Sequence, residues 1–129
     1  MLEEAIYAHI IADSTLATKV ANGVGKYHIY PLRAPDGAAP NKMLVYREIS
    51  QSLTYPLVRS SRFQISCIAQ TFEDARGMAS DIDRIFNDYS EGKLGGTFGV
   101  KYIKYEGRTA LFDEEAKLYV FPVELFIKF

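Results

Sequence analysis

The chain of 129 residues carries fifteen basic against sixteen acidic side chains, a net charge of −1, and 48% hydrophobic residues. That size and apolar content fit one domain with a single core, and the balanced charge excludes a dedicated nucleic-acid binder, whose electrostatic footprint is basic. The single cysteine, Cys67, excludes an intrachain disulfide, and no apolar run approaches the ~20 residues needed to span a bilayer.

The N-terminus Met1-Leu2-Glu3-Glu4 is acidic where a signal peptide is basic, so a soluble, untargeted protein is expected. Over residues 2–12, Leu2, Ala5, Ile6, His9 and Ile10 share one helical stripe opposite Glu3, Glu4 and Tyr7, the pattern of a surface helix on a core. A short second helix follows, capped by Ser14, with Leu16, Ala17 and Val20 on its apolar side and Asn22-Gly23 at its end. Residues 26–32 read as a first strand. The segment from Tyr30 to Pro40 then holds three of the five prolines and the turn pair Asp36-Gly37, so it crosses between elements as a rigid connector.

Met43, Val45, Arg47 and Ile49 alternate with Leu44, Tyr46, Glu48 and Ser50, strand periodicity with one face mostly apolar. Residues 61–70 give a clearer strand, with Phe63, Ile65, Cys67 and Ala69 on one face and Arg62, Gln64 and Ser66 on the other. Between them, residues 51–60 are too many for a tight hairpin turn and too apolar for an ordinary solvated loop, since they include Leu53, Tyr55, Leu57 and Val58.

Residues 72–89 form the strongest predicted element, a helix with Phe72, Ala75, Met78, Ala79, Ile82, Ile85, Phe86 and Tyr89 on one stripe. Thr71 caps it with Asp74 three residues on, and Arg84 and Asp88 on its outer face are spaced for a weak pair. Gly92, Gly95 and Gly96 stop the helix and lead to a strand over residues 97–105. A charged turn at Asp113-Glu114-Glu115 precedes a long terminal strand over residues 117–129, with Tyr119, Phe121, Val123, Leu125, Ile127 and Phe129 on one face. The order is α+β: an antiparallel-rich sheet of about five strands, its neighbours joined by hairpin-like connections, packed against one long helix, with short N-terminal helices before it and a single domain over residues 1–129.

No catalytic constellation emerges from these elements. Cys67 shares a strand face with Phe63 and Ile65, so a buried, inert thiol is expected, and His9 and His28 sit on different elements without ligand spacing. The run from Gly92 to Gly99 follows a helix and opens a strand, the reverse of a phosphate loop. Asp81 and Asp83 diverge on their helix, which argues against a shared metal. Lys101, Lys104 and Arg108 form a small basic group, solvated or facing an acidic partner. Nine tyrosines and eight phenylalanines without a tryptophan favour self-association or partner binding, because tyrosine buries a large ring while keeping a polar tip.

In chain order, Tyr30-Pro31-Leu32-Arg33-Ala34-Pro35 leading to Pro40, Val45-Tyr46 with Ile49-Ser50, Arg62-Phe63-Gln64-Ile65, the Thr71-capped helix with Ala75, and Leu118-Tyr119 before an alternating strand resemble the tail-completion proteins of long-tailed bacteriophages and prophages. The resemblance implies a structural virion protein, with no enzymatic activity and no cofactor, that terminates the tail tube or joins tail to head. It would act as a homo-oligomeric ring in contact with tail-tube and neck or connector proteins. DNA would pass through the channel without sequence-specific binding, and no membrane would be involved. Synthesis would be in the bacterial host cytoplasm and residence in the virion. The alternative from another class is a small bacterial α+β enzyme or ligand-binding module.

The expected interface residues are Arg33, Tyr46, Leu53, Tyr55, Leu57, Val58 and Arg59. Residues 51–60 would form an interaction arm, and Arg33 and Tyr46 are of the types that anchor interfaces, with a core role open for Tyr46.

Overall fold

A computed structural model describes residues 2–21, 25–32, 42–54, 58–87, 92–94 and 98–129. In chain order the elements are α1 (Leu2–Ala12), α2 (Ser14–Lys19), β1 (Ile29–Pro31), β2 (Lys42–Thr54), β3 (Val58–Ala69), α3 (Phe72–Phe86), β4 (Gly92–Leu94), β5 (Phe98–Val100), β6 (Tyr102–Arg108), β7 (Leu111–Asp113) and β8 (Leu118–Lys128). The α+β class stands, built on a six-stranded mixed sheet in the order β1-β2-β3-β8-β6, with β7 pairing the first residues of β8. β4 and β5 form a separate two-stranded hairpin.

Burial explains the layering. Cross-strand partners share a face, so the pairs Leu44↔Cys67, Tyr46↔Ile65, Cys67↔Phe121, Ile65↔Val123 and Phe63↔Leu125 line one side of the sheet. On that side Leu2, Ile6 and Ile10 of α1, Leu16 of α2, and Ala75, Met78, Ala79, Ile82 and Phe86 of α3 complete one core. Burying one leucine- or phenylalanine-sized side chain contributes about 1.5–3 kcal/mol, so this face dominates stability.

Several elements depart from the sequence reading. β1 pairs with β2 in parallel, through Ile29↔Leu44 and Pro31↔Tyr46, rather than as a hairpin. The connector after β1 is long enough to return the chain to a parallel start, which a tight turn could not do. In β2 the side facing the helices is that of Leu44 and Tyr46, while Met43, Val45 and Ile49 take the other side, because register with β3 outweighs the count of apolar residues.

The interval 51–60 is not a loop throughout. β2 and β3 continue pairing through Gln51↔Ser61, Ser52↔Ser60, Leu53↔Arg59 and Thr54↔Val58, after a register shift between Glu48 and Ser50. Each extra ladder step satisfies backbone groups that a loop would leave to water.

α3 is capped by Thr71, whose hydroxyl accepts the Asp74 N–H at 3.2 Å, but it ends at Phe86 because Asn87 is already extended. Tyr89 lies outside the described residues. α2 is capped by Asp13 rather than Ser14: the Asp13 carboxylate accepts the Leu16 N–H at 3.0 Å. The strand expected over 97–105 divides at Lys101 into β5 and β6, which belong to different sheets. None of the helices among the described residues is long and apolar enough to cross a membrane.

Candidate interaction surfaces

The chemistry-bearing side chains are engaged in structural roles. Cys67 is fully buried beneath the helices, and burial pushes its thiol well above the ordinary range. His9 Nε2 donates to the Ile85 carbonyl at 2.7 Å and its ring lies tilted against Phe86 at 4.9 Å, tying α1 to α3. His28 Nδ1 meets the Tyr30 hydroxyl at 2.6 Å. Asp88, the partner expected for Arg84, lies outside the described residues. Arg84 reaches Asp13 through two hydrogen bonds, 3.0 and 2.8 Å, and Asp81 at 3.4 Å, while Lys19 bonds Asp81 at 2.6 Å. This network locks α2 onto α3; the Arg84 hydrogen bonds hold the Asp13 carboxyl below its usual value, and the same bonds raise Arg84. No group of three or more His, Cys, Asp or Glu side chains suited to a metal occurs among the described residues.

The basic group read from the sequence is split by the fold. Lys101 and Lys104 stand exposed at the start of β6, whereas Arg108 turns to the helix side, donates to Ser80 Oγ at 3.2 Å and lies over the Phe121 ring. The β6 bulge between Tyr105 and Gly107 causes the separation, because it breaks the simple alternation of faces.

Of the expected interface residues, Tyr46 is a core residue. It is buried, its ring is stacked on Phe63 with centroids 6.0 Å apart, and burial, then the nearby Glu3, raises its phenol. It also floors a groove of about 300 Å³ lined by Glu3, Pro31, Leu32, Arg47 and Glu48. Arg59 is exposed at the start of β3, where its N–H and C=O pair with Phe129 at 3.0 and 2.8 Å. It lies six residues from Ile65, the partner of Tyr46, roughly 20 Å along the strand, so the two belong to different surfaces. Leu53 and Val58 contribute paired backbone at the end of the β2–β3 hairpin. Arg33, Tyr55 and Leu57 lie outside the described residues.

Two exposed apolar features escape the sequence reading. Leu32 is 74% exposed in the left-handed region, φ +66°, held there by its N–H bond to the Tyr46 carbonyl at 2.9 Å. A leucine there is strained, and its position beside the Tyr46 groove makes the groove a candidate contact. At the end of the sheet where α3 begins, Phe72 (43% exposed) and Phe112 (42%) form a second patch on the helix side, with Leu111 (51%) exposed on the opposite side of β7. Phe72 packs edge-on against Tyr119 and Phe121, and Phe112 tilts against Tyr119 at 4.8 Å. Phe72 falls on the apolar stripe of α3, and periodicity alone cannot show that the first turn overhangs the sheet. The pair Leu111-Phe112 beside an acidic triplet was the available signal.

No family model matches the sequence, and no curated protein does. Solved structures do match. A chain of the virion of a native gene transfer agent particle superposes with a TM-score of 0.74 at 18% identity, covering 98% of this chain and 92% of that one. A second solved chain superposes with a TM-score of 0.55 at 14% identity, covering 98% of this chain and 94% of the other. At these identities the likeness is one of fold.

Proposed function

We propose that this chain is a structural virion protein of a phage or phage-like particle, acting in tail completion: it terminates the tail tube or joins tail to head, as a ring, through protein contacts alone. The observation that carries this reading is the superposition, over nearly the whole of both chains, on a chain from a gene transfer agent virion. The ordered pattern from the Tyr30–Pro40 segment to the terminal strand supports the narrower tail-completion role, since it resembles that family from end to end. The exposed aromatic and leucine side chains support a protein that works by contact, because rimmed apolar patches of this kind mark interaction sites.

Its immediate neighbours would be tail-tube and neck proteins, and DNA would only pass by. The interaction arm expected at residues 51–60 takes in, in this reading, the last paired residues of β2 and the first of β3. The test is electron microscopy of particles after the reading frame is interrupted. Filled heads separate from tails, or overlong tails, are the expected result, with tail length distinguishing joining from termination. Normal infectious particles would overturn the proposal.

A further inference from the structure

The strands run between two ends of opposite character. At one end β8 begins, β3 finishes and α3 starts. Glu73 and Asp74 in the first turn of α3, with Asp113 at the end of β7 and Glu114 and Glu115 in the turn that Lys117 closes, stand at the end that carries Phe72 and Phe112 on one sheet face and Leu111 on the other. Asp74 has Lys42 at 3.9 Å, and Asp113 accepts the Glu115 and Ala116 N–H groups, which leaves Glu114 and Glu115 as exposed carboxylates at the tip. At the opposite end β8 finishes and β6 begins. Arg62, Lys104 and Lys128 share one sheet face there with Tyr102 and Phe126, whose ring centroids lie 6.2 Å apart, and Arg59 and Lys101 stand exposed at the same end. No carboxylate among the described residues pairs with Arg59, Arg62, Lys101 or Lys104.

Charge at the two ends nearly cancels over the whole chain, whose net charge is −1. The molecule is therefore electrically polar along its strands rather than acidic or basic. Most of the exposed large hydrophobics sit at these same ends: Phe72, Leu111 and Phe112 at the acidic one, Tyr102 at the basic one. Apolar area combined with opposite charge on two different patches of one chain suits a heterologous contact, in which one patch of each copy meets the other patch of the next. Like ends repel and unlike ends attract, so the orientation is selected as well as the partner.

We propose that the acidic, aromatic end of one copy docks on the basic end of a second copy, and that this head-to-tail contact propagates the assembly. The proposal rests on the ring reading above and names the surfaces that would build it. In structural terms the turn Asp113–Lys117 and the first turn of α3 of one copy lie against the Lys101–Lys104 face of the next.

Sedimentation velocity on the full chain tests it, with Glu114→Lys/Glu115→Lys as one variant and Lys101→Glu/Lys104→Glu as the other. All four side chains are exposed, and unchanged thermal melting verifies that both variants fold. Each variant alone is expected to self-associate at least about tenfold more weakly than the wild type. Mixed, the two are expected to recover association in alternation, because the intact basic end of the first meets the intact acidic end of the second and their two charge-reversed ends complement each other. Wild-type rings from both variants would overturn the contact and leave the ring reading standing. If such rings nonetheless failed to join particles, the ends would belong to another virion protein. A wild-type chain that stays monomeric, with no association in the mixture, would overturn the contact and the ring reading together.

Discussion

The helix-covered face of the sheet and the two ends of its strands use the same residue types for opposite purposes. Phe63 and Phe86 are fully enclosed under the helices, whereas Phe72, Phe112 and Tyr102 stay exposed among charges at the ends. Enclosure follows from register: Phe63 sits opposite Leu125, with its ring stacked on Tyr46 under the helices. Exposure follows from overhang, since Phe72 and Phe112 stand where α3 and β7 reach past the core. The difference teaches that aromatic content alone does not distinguish a core from a contact surface, whereas its position along the strand does.

The sharpest way to break this comparison is substitution on each side of it. Phe63→Ala removes a fully buried ring and is expected to destabilise the fold by about 3–5 kcal/mol, read by urea unfolding. Phe112→Ser, at the exposed patch, is expected to cost less than about 1 kcal/mol by the same measurement while weakening self-association. Equal losses at both positions would remove the distinction between core and contact aromatics.

Asp13 sharpens the account of what fixes the helices. Asp13→Ala removes the α2 cap, an expected loss of about 1 kcal/mol, and also releases Arg84. Because Arg84 lowers the folded-state value of the Asp13 carboxyl, that contribution is complete above the ordinary 3.8 and is lost as pH falls through the lowered value. The wild type should therefore lose stability more steeply than the Asp13→Asn variant over that acidic window, followed by circular dichroism. Parallel curves would show that the Arg84 contact does not distinguish the folded state.

The smallest expected effect is at Leu32. Leu32→Gly relieves a left-handed backbone at little cost in buried area, so stability should change by no more than about 1 kcal/mol in either direction. Loss of assembly without loss of stability in this variant would assign the Tyr46 groove to a partner.

Much of the fold is legible in the sequence because it rests on periodicity: α1, α3 and the core faces of β3 and β8 all follow from apolar spacing. What escaped depends on pairing between distant segments. The parallel β1, the inward side of β2 and the split at Lys101 are decided by register and bulges, which leave no local trace. The Arg84–Asp13 link escaped for the same reason, since that partner lies between α1 and α2, far from Arg84 in the chain. At the candidate surfaces, Tyr46 and Arg59 are both visible as residue types, but only the sheet separates them into a core residue and an exposed cation.

The most direct test of the account is cryo-electron microscopy of intact particles produced by the genome that encodes this chain. The account predicts that density at the junction of head and tail is fitted by repeated copies of this α+β fold, arranged as a ring around the channel. Purified infectious particles that contain no copy of the chain would contradict it.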